Sequence, residues 1–382
     1  MQPRRSSLNL SFLALMVPAQ QLAALAIAAM LLCAPAAAAP TPAAPIPAAA
    51  LRPALPAADA FFNDPALRET RALVVIHHGQ RIFEHYAPGY GPGTRLISWS
   101  MAKSITSTLI GELVADGRLQ LDMPAPVREW QRKGDQRAAI TLRQLLHMAG
   151  GLKHTETGPQ PELSDTNRAL FADTSADIYA AAVAAPLETQ PGRVFEYSTL
   201  TTHILSRIVS DTIAPAAKTP AARRAAMRAF VQSRLAGPAG MASLLCEHDP
   251  AGTMLGGSLC HATARDWAAF GQMYLDNGVV AGAQVVRPDW VRFVTTPSPA
   301  NPGYGGQFWL NRPQVRGQDP ALFPEIGPAD AYAAIGHLGQ YVIIVPSRRL
   351  VVVRLGKTQD EDLAPVRAAL GRLVNSVPAA AK

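Results

Sequence analysis

The spacing of apolar and polar positions changes several times along the chain, and each change marks an element. Leu73 to Ile76 is a β-branched run, followed by His77-His78-Gly79-Gln80 and then Ile82-Phe83 and Tyr86, which predicts two short strands around a Gly-bearing turn. Gly89-Tyr90-Gly91-Pro92-Gly93 reads as a loop. From about Ser100 the period becomes helical: Met101, Ile105, Leu109 and Leu113 recur at i+4, and Gly117 supplies a stop. Thr141-Leu142-Arg143-Gln144 has capping-box form and opens a short helix before Gly150-Gly151. Residues 160–240 are Ala-rich with a mostly helical pattern. Thr263-Ala264-Arg265-Asp266 repeats the box form ahead of Trp267, Phe270 and Tyr274, with Gly278 as the stop. After residue 300 the texture turns to β: Phe308-Trp309-Leu310, Tyr341 to Val345 and Leu350 to Leu355, the last two separated by a turn from Pro346-Ser347 to Arg349. Asp362 to Val374 predicts a closing helix. Strands at both ends with helices between them predict an α/β (α+β) body: an antiparallel sheet built from the N- and C-terminal segments with flanking helices, and an inserted, mainly helical domain over about 120–300. No internal repeat is visible.

The first 60 residues stand apart. Arg4 and Arg5 open a positive region, Leu8 to Val17 and Leu22 to Leu32 are apolar, and Ala34-Pro35-Ala36-Ala37-Ala38-Ala39 has the small-x-small form of a cleavage site. Residues 1–39 are therefore expected to be a signal peptide, placing the mature protein in the periplasm or outside the cell with no stable membrane span. Pro18, Gln20 and Gln21 interrupt the apolar run and argue against a permanent anchor; Leu32 ahead of Cys33 argues against lipid attachment. Residues 40–60, rich in Ala and Pro, are expected to form an extended linker, leaving 61–378 as the folded domain. Export leaves Cys246 and Cys260 as an even pair, either a disulfide or two buried thiols.

Composition narrows the classes. The chain has 382 residues, 48% of them hydrophobic, which supports a large core. Its formal charge is +7, falling to +5 once Arg4 and Arg5 are removed, and no Lys/Arg run exceeds two residues. With 6% aromatic residues as well, this is no nucleic-acid-binding surface. Three cysteines exclude a Cys-rich zinc module. His77 and His78 on a strand would point to opposite faces and make poor co-ligands, so no metal site is expected.

There is no G-x-S-x-G, no P-loop and no H-E-x-x-H. What remains is Ser100-Met101-Ala102-Lys103. Serine and lysine at i and i+3 share a helix face, and Ser100 would lie at a helix start, where free N–H groups favour an oxyanion. A hydroxyl needs a base before it is a useful nucleophile, and a lysine of lowered pKa can be that base. With 18 Ser and 6 Lys in the chain, chance supplies roughly 0.3 such pairs, so a solvated helix face is the bland alternative. Two further features raise the pattern above chance. Pro191-Gly192-Arg193-Val194-Phe195-Glu196-Tyr197-Ser198-Thr199 puts a phenol at a helix entrance, and Gly336-His337-Leu338-Gly339-Gln340 lies directly before the Tyr341 strand.

In this order the three motifs resemble the serine β-lactamase and penicillin-binding superfamily. The match is closest to the class C-like branch with family VIII-type esterases, D-alanyl-D-alanine carboxypeptidases and 6-aminohexanoate-dimer hydrolases. Ile97-Ser98-Trp99, Ile140 to Met148 and Ala264-Arg265-Asp266-Trp267 agree with it, and the likeness covers roughly residues 65–375. The resemblance implies a β-lactamase/transpeptidase-like fold and a two-step acyl-enzyme reaction without metal or organic cofactor. It implies Ser100 as nucleophile, Lys103 as its deprotonating partner and Tyr197 as general base and acid. His337 and Gly339 fall in the strand motif, and the backbone N–H groups of Ser100 and Gln340 would form the oxyanion hole.

Two positions depart from β-lactamases of this type. Thr199 stands where they carry Asn, and His337 where they carry Lys. Both changes are expected to fall on substrate recognition, which points to an amidase or esterase of a small-molecule acyl substrate. A D-alanyl-D-alanine carboxypeptidase or β-lactamase is the nearest alternative, and a non-catalytic cell-wall-binding protein of the same fold an alternative of another class. Trp99, Trp309 and Tyr341 are candidates for the acyl pocket or for the core. Oligomeric state is not legible in the sequence.

Overall fold

The computed structural model describes residues 54–315 and 318–379. The expected signal peptide and residues 40–53 of the expected linker lie outside them. Six strands form the main sheet: β1 (Glu69–His77), β2 (Gln80–Tyr86), β3 (Trp309–Leu310), β4 (Tyr332–Gly336), β5 (Gln340–Val345) and β6 (Leu350–Lys357). Their spatial order is β2-β1-β6-β5-β4-β3, and every neighbouring pair is antiparallel. The N-terminal hairpin thus joins the C-terminal strands through β1 and β6, as the β texture at both ends predicts. The helices that matter for the site and the sheet are α1 (Ala54–Asn63), α2 (Ala102–Ala115), α3 (Thr199–Ile213), α4 (Ala264–Leu275) and α5 (Leu363–Ser376).

The period-2 alternation of the strands sends side chains to two cores. Leu73, Val75, Tyr341, Ile343 and Val352 pack with Phe61 of α1 and with Val366, Leu370 and Leu373 of α5. Ala72, Val74, Val342, Ile344, Val351 and Val353 face the larger core, with Ile105 and Leu109 of α2, Ile204 and Ile208 of α3 and Trp267 and Phe270 of α4. Because β5 and β6 are covered on both faces, they read in sequence as unbroken apolar runs. Burying a side chain of this size is worth about 1.5–3 kcal/mol, so the central strands hold the layers together.

Several local expectations are met only in part. The Pro-rich stretch, read as extended, gives way at Ala54 to helix α1, whose Ala58 and Phe61 are buried; the apolar pair found its partners on α5. At Thr263 the hydroxyl accepts from Asp266 N as a cap should, but the Asp266 carboxylate turns away to Ser243, accepting from its N at 2.7 Å and its Oγ at 2.6 Å. Strand β4 carried no signal, because Ala333 and Ala334 are poor strand formers that its sandwiched position nonetheless accommodates. His77 and His78 do not alternate across a strand: β1 ends at His77, His78 adopts φ 50°, and their rings meet edge to face at 4.5 Å. Among the described residues no helix is long and apolar enough to cross a membrane, and no group of three metal-binding side chains occurs.

A small second sheet sits beside the Ser100 segment. Leu96–Ile97 pairs with Cys260–Ala262, which pairs with Leu245–Cys246. Cys246 and Cys260 are directly opposite each other and joined by a disulfide. Helix α4 lies so close on the main sheet that a Cβ at Gly271 would come within 2.6 Å of Val351 Cγ1 and 2.9 Å of Val342 Cγ1. Gly271→Ala is therefore expected to destabilise by about 1–3 kcal/mol through overpacking, reversing the roughly 1 kcal/mol that Ala ordinarily gains over Gly in a helix. Urea unfolding of the two proteins measures this.

Candidate active site

Ser100 sits in a single 3-10 turn, Trp99–Met101, that runs directly into α2. The residue before it, Trp99, is held at φ 45°, a left-handed conformation that a bulky side chain adopts only when its surroundings enforce it. The enforcement is visible. Ser98 is fully buried, its N donates to Cys260 O at 2.7 Å, and its Oγ accepts from Cys260 N at 3.2 Å. On the other side, Gly336 at the end of β4 packs so tightly that a Cβ there would lie 2.1 Å from Ser98 O. Sheet edge and disulfide-linked strand together fix where the Ser100 hydroxyl points.

The first turns of α2 are not a solvated face. Lys103, Ser104, Thr106, Ser107 and Thr108 are all buried. Loop carbonyls meet their side chains: Ser104 Oγ donates to Gln307 O, Ser107 Oγ to Gly306 O and Thr106 Oγ1 to Gly256 O, at 2.8 to 2.9 Å. A polar helix can be buried this way because no donor is left without a partner.

Lys103 lies at the centre of the arrangement. Its Nζ is 3.0 Å from Ser100 Oγ, 2.8 Å from Thr199 Oγ1 and 2.8 Å from Gly257 O. It also lies 4.7 Å from the centroid of the Tyr197 ring. Its side chain is 1% exposed, and none of its three direct partners is charged. Burial lowers the amine to about 8, with the Glu156 carboxylate acting in the opposite direction. Burial, and after it the charge of Glu156, pushes the Tyr197 phenol well above its ordinary value, with Ser100 and Trp309 opposing. Near neutral pH the phenol therefore keeps its proton, while the amine releases its own easily.

Tyr197 and Thr199 reach this point because α3 begins there. Ser198 caps the helix by accepting from Thr201 N, and its Oγ lies 3.0 Å from His154 Nδ1. The segment before it is tied down by Glu196 N donating to Met148 O and Gly192 N donating to Ala149 O. The Tyr197 ring packs against Trp309 and edge-on to Tyr304. Thr199 is fully buried. Its hydroxyl faces Lys103 and a carboxylate behind it, so the position that departs from Asn serves the interior of the cluster and not substrate recognition alone.

That carboxylate, Glu156, is absent from the sequence reading. It accepts from Thr199 N and from Thr199 Oγ1, both at 2.6 Å, and from Thr166 Oγ1 at 2.7 Å. Its one signal in the sequence is a polar run, His154 to Thr157, after Gly150-Gly151-Leu152; nothing in its spacing connects it to Lys103.

The strand motif divides into two parts. His337 lines the cleft, its ring edge-to-face with Trp99 at 5.4 Å and its Nδ1 3.4 Å from Asp360 Oδ1. That imidazole holds the Asp360 carboxyl below its usual range. Gly339 and Gln340 are not among the residues that line the cleft. Gln340 is 2% exposed, and its carboxamide donates to Gly356 O and accepts from Gly356 N. Gly339, at φ 77°, gives its carbonyl to buried Arg354. Residues 337–339 form the turn between β4 and β5, and at the start of β5 the Gln340 side chain is taken up by Gly356 while that of Tyr341 lines the cleft.

Above Ser100 opens a cleft of about 600 Å³. Trp99, Trp309 and Tyr341 all line it, with Ile335, Phe171 and Leu363 completing apolar walls. Glu156, His337, Asp360 and Arg367 supply its charged and polar rim.

A family profile described as Beta-lactamase matches residues 68–376. The chain belongs to the beta-lactamase family. Over 233 residues it is 28% identical to a 6-aminohexanoate-dimer hydrolase of Paenarthrobacter ureafaciens, a match spanning 59% of this chain and 57% of that protein. Among solved structures it resembles a Bacillus anthracis protein described as a 6-aminohexanoate-dimer hydrolase, with TM-score 0.65 and 22% identity over 84% of this chain and 82% of that one. A family VIII carboxylesterase gives TM-score 0.61 and 15% identity over 86% and 99%. A penicillin-binding protein homologue from Caulobacter crescentus gives 0.62 and 18% over 88% and 98%. These three likenesses show the shared fold.

Because Gly336 supports the Ser98–Ser100 turn, Gly336→Ala is expected to move the hydroxyl and lower ester turnover by about 100-fold. The circular dichroism spectrum is expected to stay that of the wild type.

Proposed function

We propose that the protein is an exported hydrolase that cleaves an amide or ester bond of a small acyl substrate through an acyl-enzyme on Ser100. One observation carries the reading: a buried amine of lowered pKa, without a charged direct partner, lies 3.0 Å from a hydroxyl that opens onto a largely apolar cleft. Such a pair is an activated nucleophile with its base already in hydrogen-bond reach. The names of the similar proteins, a 6-aminohexanoate-dimer hydrolase and a carboxylesterase, support amide and ester substrates. The Cys246–Cys260 disulfide supports an oxidising compartment and hence export.

In this reading Ser100 Oγ attacks the substrate carbonyl as its proton passes to neutral Lys103. The backbone N–H of Ser100, at a helix start, stabilises the oxyanion together with that of His337, which takes the place first expected of Gln340 because it lines the cleft. Collapse breaks the C–N or C–O bond. The leaving group takes the proton of Tyr197, and the Lys103 ammonium restores it. Water then attacks the acyl-enzyme as one of its protons passes to Lys103; collapse breaks the bond from the acyl carbon to Ser100 Oγ, frees the acid, and the Lys103 ammonium returns the proton to Ser100.

A screen of short p-nitrophenyl esters, linear amides and β-lactams tests the reading. Ester or amide turnover by the wild type, lost in Ser100→Ala, is the expected result. Efficient hydrolysis of a chromogenic cephalosporin would contradict the substrate class while keeping the serine mechanism. The pH profile is a second check. The base works as the free amine and is blocked when protonated, so kcat/KM is expected to be low in acid and to rise through about pH 8.

A further inference from the structure

Hydrogen-bond directions around Lys103 are fixed by chemistry. Gly257 O is a carbonyl and only accepts. Thr199 Oγ1 could in principle donate or accept, but its single proton is claimed by Glu156 Oε1 at 2.6 Å. The same carboxylate accepts from Thr199 N and Thr166 Oγ1, so three donors converge on its two oxygens and hold it in place. Toward Lys103 the Thr199 oxygen can therefore only accept. A neutral lysine amine has two N–H bonds and one lone pair. With both N–H bonds directed to Thr199 Oγ1 and Gly257 O, each at 2.8 Å, the remaining lone pair faces the third neighbour, Ser100 Oγ.

We propose that Glu156 is a positioning residue: by taking the hydroxyl proton of Thr199 it makes that oxygen an obligate acceptor and so aims the lone pair of Lys103 at Ser100. The proposal rests on Ser100 and Lys103 acting as in the preceding section. It gives a reason for Thr at a position where the resemblance predicts Asn. A carboxamide oxygen accepts by its nature, whereas a hydroxyl becomes a dedicated acceptor only with a second group behind it. Thr199 and Glu156 together do what one amide would do alone.

Glu156 also supplies the charge in the neighbourhood. The other titratable groups near Lys103 are Tyr197, whose phenol keeps its proton, and His203 on α3, with His154 next to His203. Burial holds His203 down at about 3 and His154 below its ordinary value, so both are neutral near pH 7. Removing the Glu156 charge, or the oxygen that receives the Lys103 proton, disfavours the ammonium. Either change lowers the pH at which the free amine appears.

The test follows the rate at which a fluorophosphonate probe labels Ser100 against pH, by intact-protein mass spectrometry. In the wild type the acid limb is expected near about pH 8. Glu156→Gln and Thr199→Val are each expected to move it lower by about 1 pH unit and to reduce the plateau rate. Thr199→Ser keeps the hydroxyl and is expected to keep the wild-type limb. A loss of packing alone changes the plateau and the melting temperature but not the limb. Should Glu156→Gln fail to fold, the Thr199→Val and Thr199→Ser pair decides. An unmoved limb in Glu156→Gln or Thr199→Val, or a Thr199→Ser profile like that of Thr199→Val, overturns the relay and leaves the serine mechanism standing. A wild type that takes no label at Ser100 at any pH overturns both.

Discussion

The site depends on keeping one amine dry. Lys103 lies on a helix whose polar side chains are all turned inward, and its direct hydrogen-bond partners are a hydroxyl on α3, a hydroxyl at the head of α2 and a loop carbonyl. An ammonium stripped of water without an adjacent anion is costly, and the cost appears as a lowered affinity for the proton. Had the Glu156 carboxylate touched Lys103 directly, an ion pair would have kept the amine charged. With Thr199 interposed, the charge is felt more weakly while its hydrogen-bonding power is passed on. The same burial acts with opposite sign on Tyr197, so one desolvated volume separates an amine that sheds its proton from a phenol that keeps one.

Everything else in the fold serves to close that volume. The main sheet supplies Gly336, which bears on Ser98 from one side; the disulfide-linked strand supplies Cys260, which grips Ser98 from the other. Helix α3 brings in Tyr197 and Thr199, and the loop at 256–257 places the carbonyls over the first turns of α2. These segments are distant in sequence. What fixes them to one another is the packing of α2, α3 and α4 against the sheet face that carries Val342, Val351 and Val353.

The elements with a strong period were legible. The hairpin before Tyr86, the helix after Ser100 and the strands over 340–345 and 350–357 follow from spacing and from Gly stops, because burial on one or both faces dictates the residue types. Strand β4 was not legible, since its alanines carry little β preference and were placed by their neighbours. At the site, Ser100, Lys103 and Tyr197 could be picked out because each sits beside a local signal of helix start or turn. The strand motif was visible in the sequence, but which of its residues line the cleft depends on the β4–β5 hairpin, which the missing strand concealed: His337 does and Gln340 does not. Glu156 was invisible because its partners are backbone and hydroxyl groups brought together only by the tertiary fold, and a lone carboxylate in a polar loop looks like any other.

The pairing of β1 with β6 has a consequence for how the molecule is made. When the hairpin of β1 and β2 leaves the ribosome, the edge of β1 that will bond β6 has no partner. Two strands alone are marginal in water, and an open apolar edge invites association with other chains. The helices can form during elongation, but the platform beneath Ser100 cannot. A nascent fragment ending before Leu350 holds Ser100, Lys103, Tyr197 and Glu156 and still lacks the strand that joins the two ends of its sheet. The platform beneath Ser100 is therefore complete only in the finished chain, and the interval before completion is when a chaperone has most to protect.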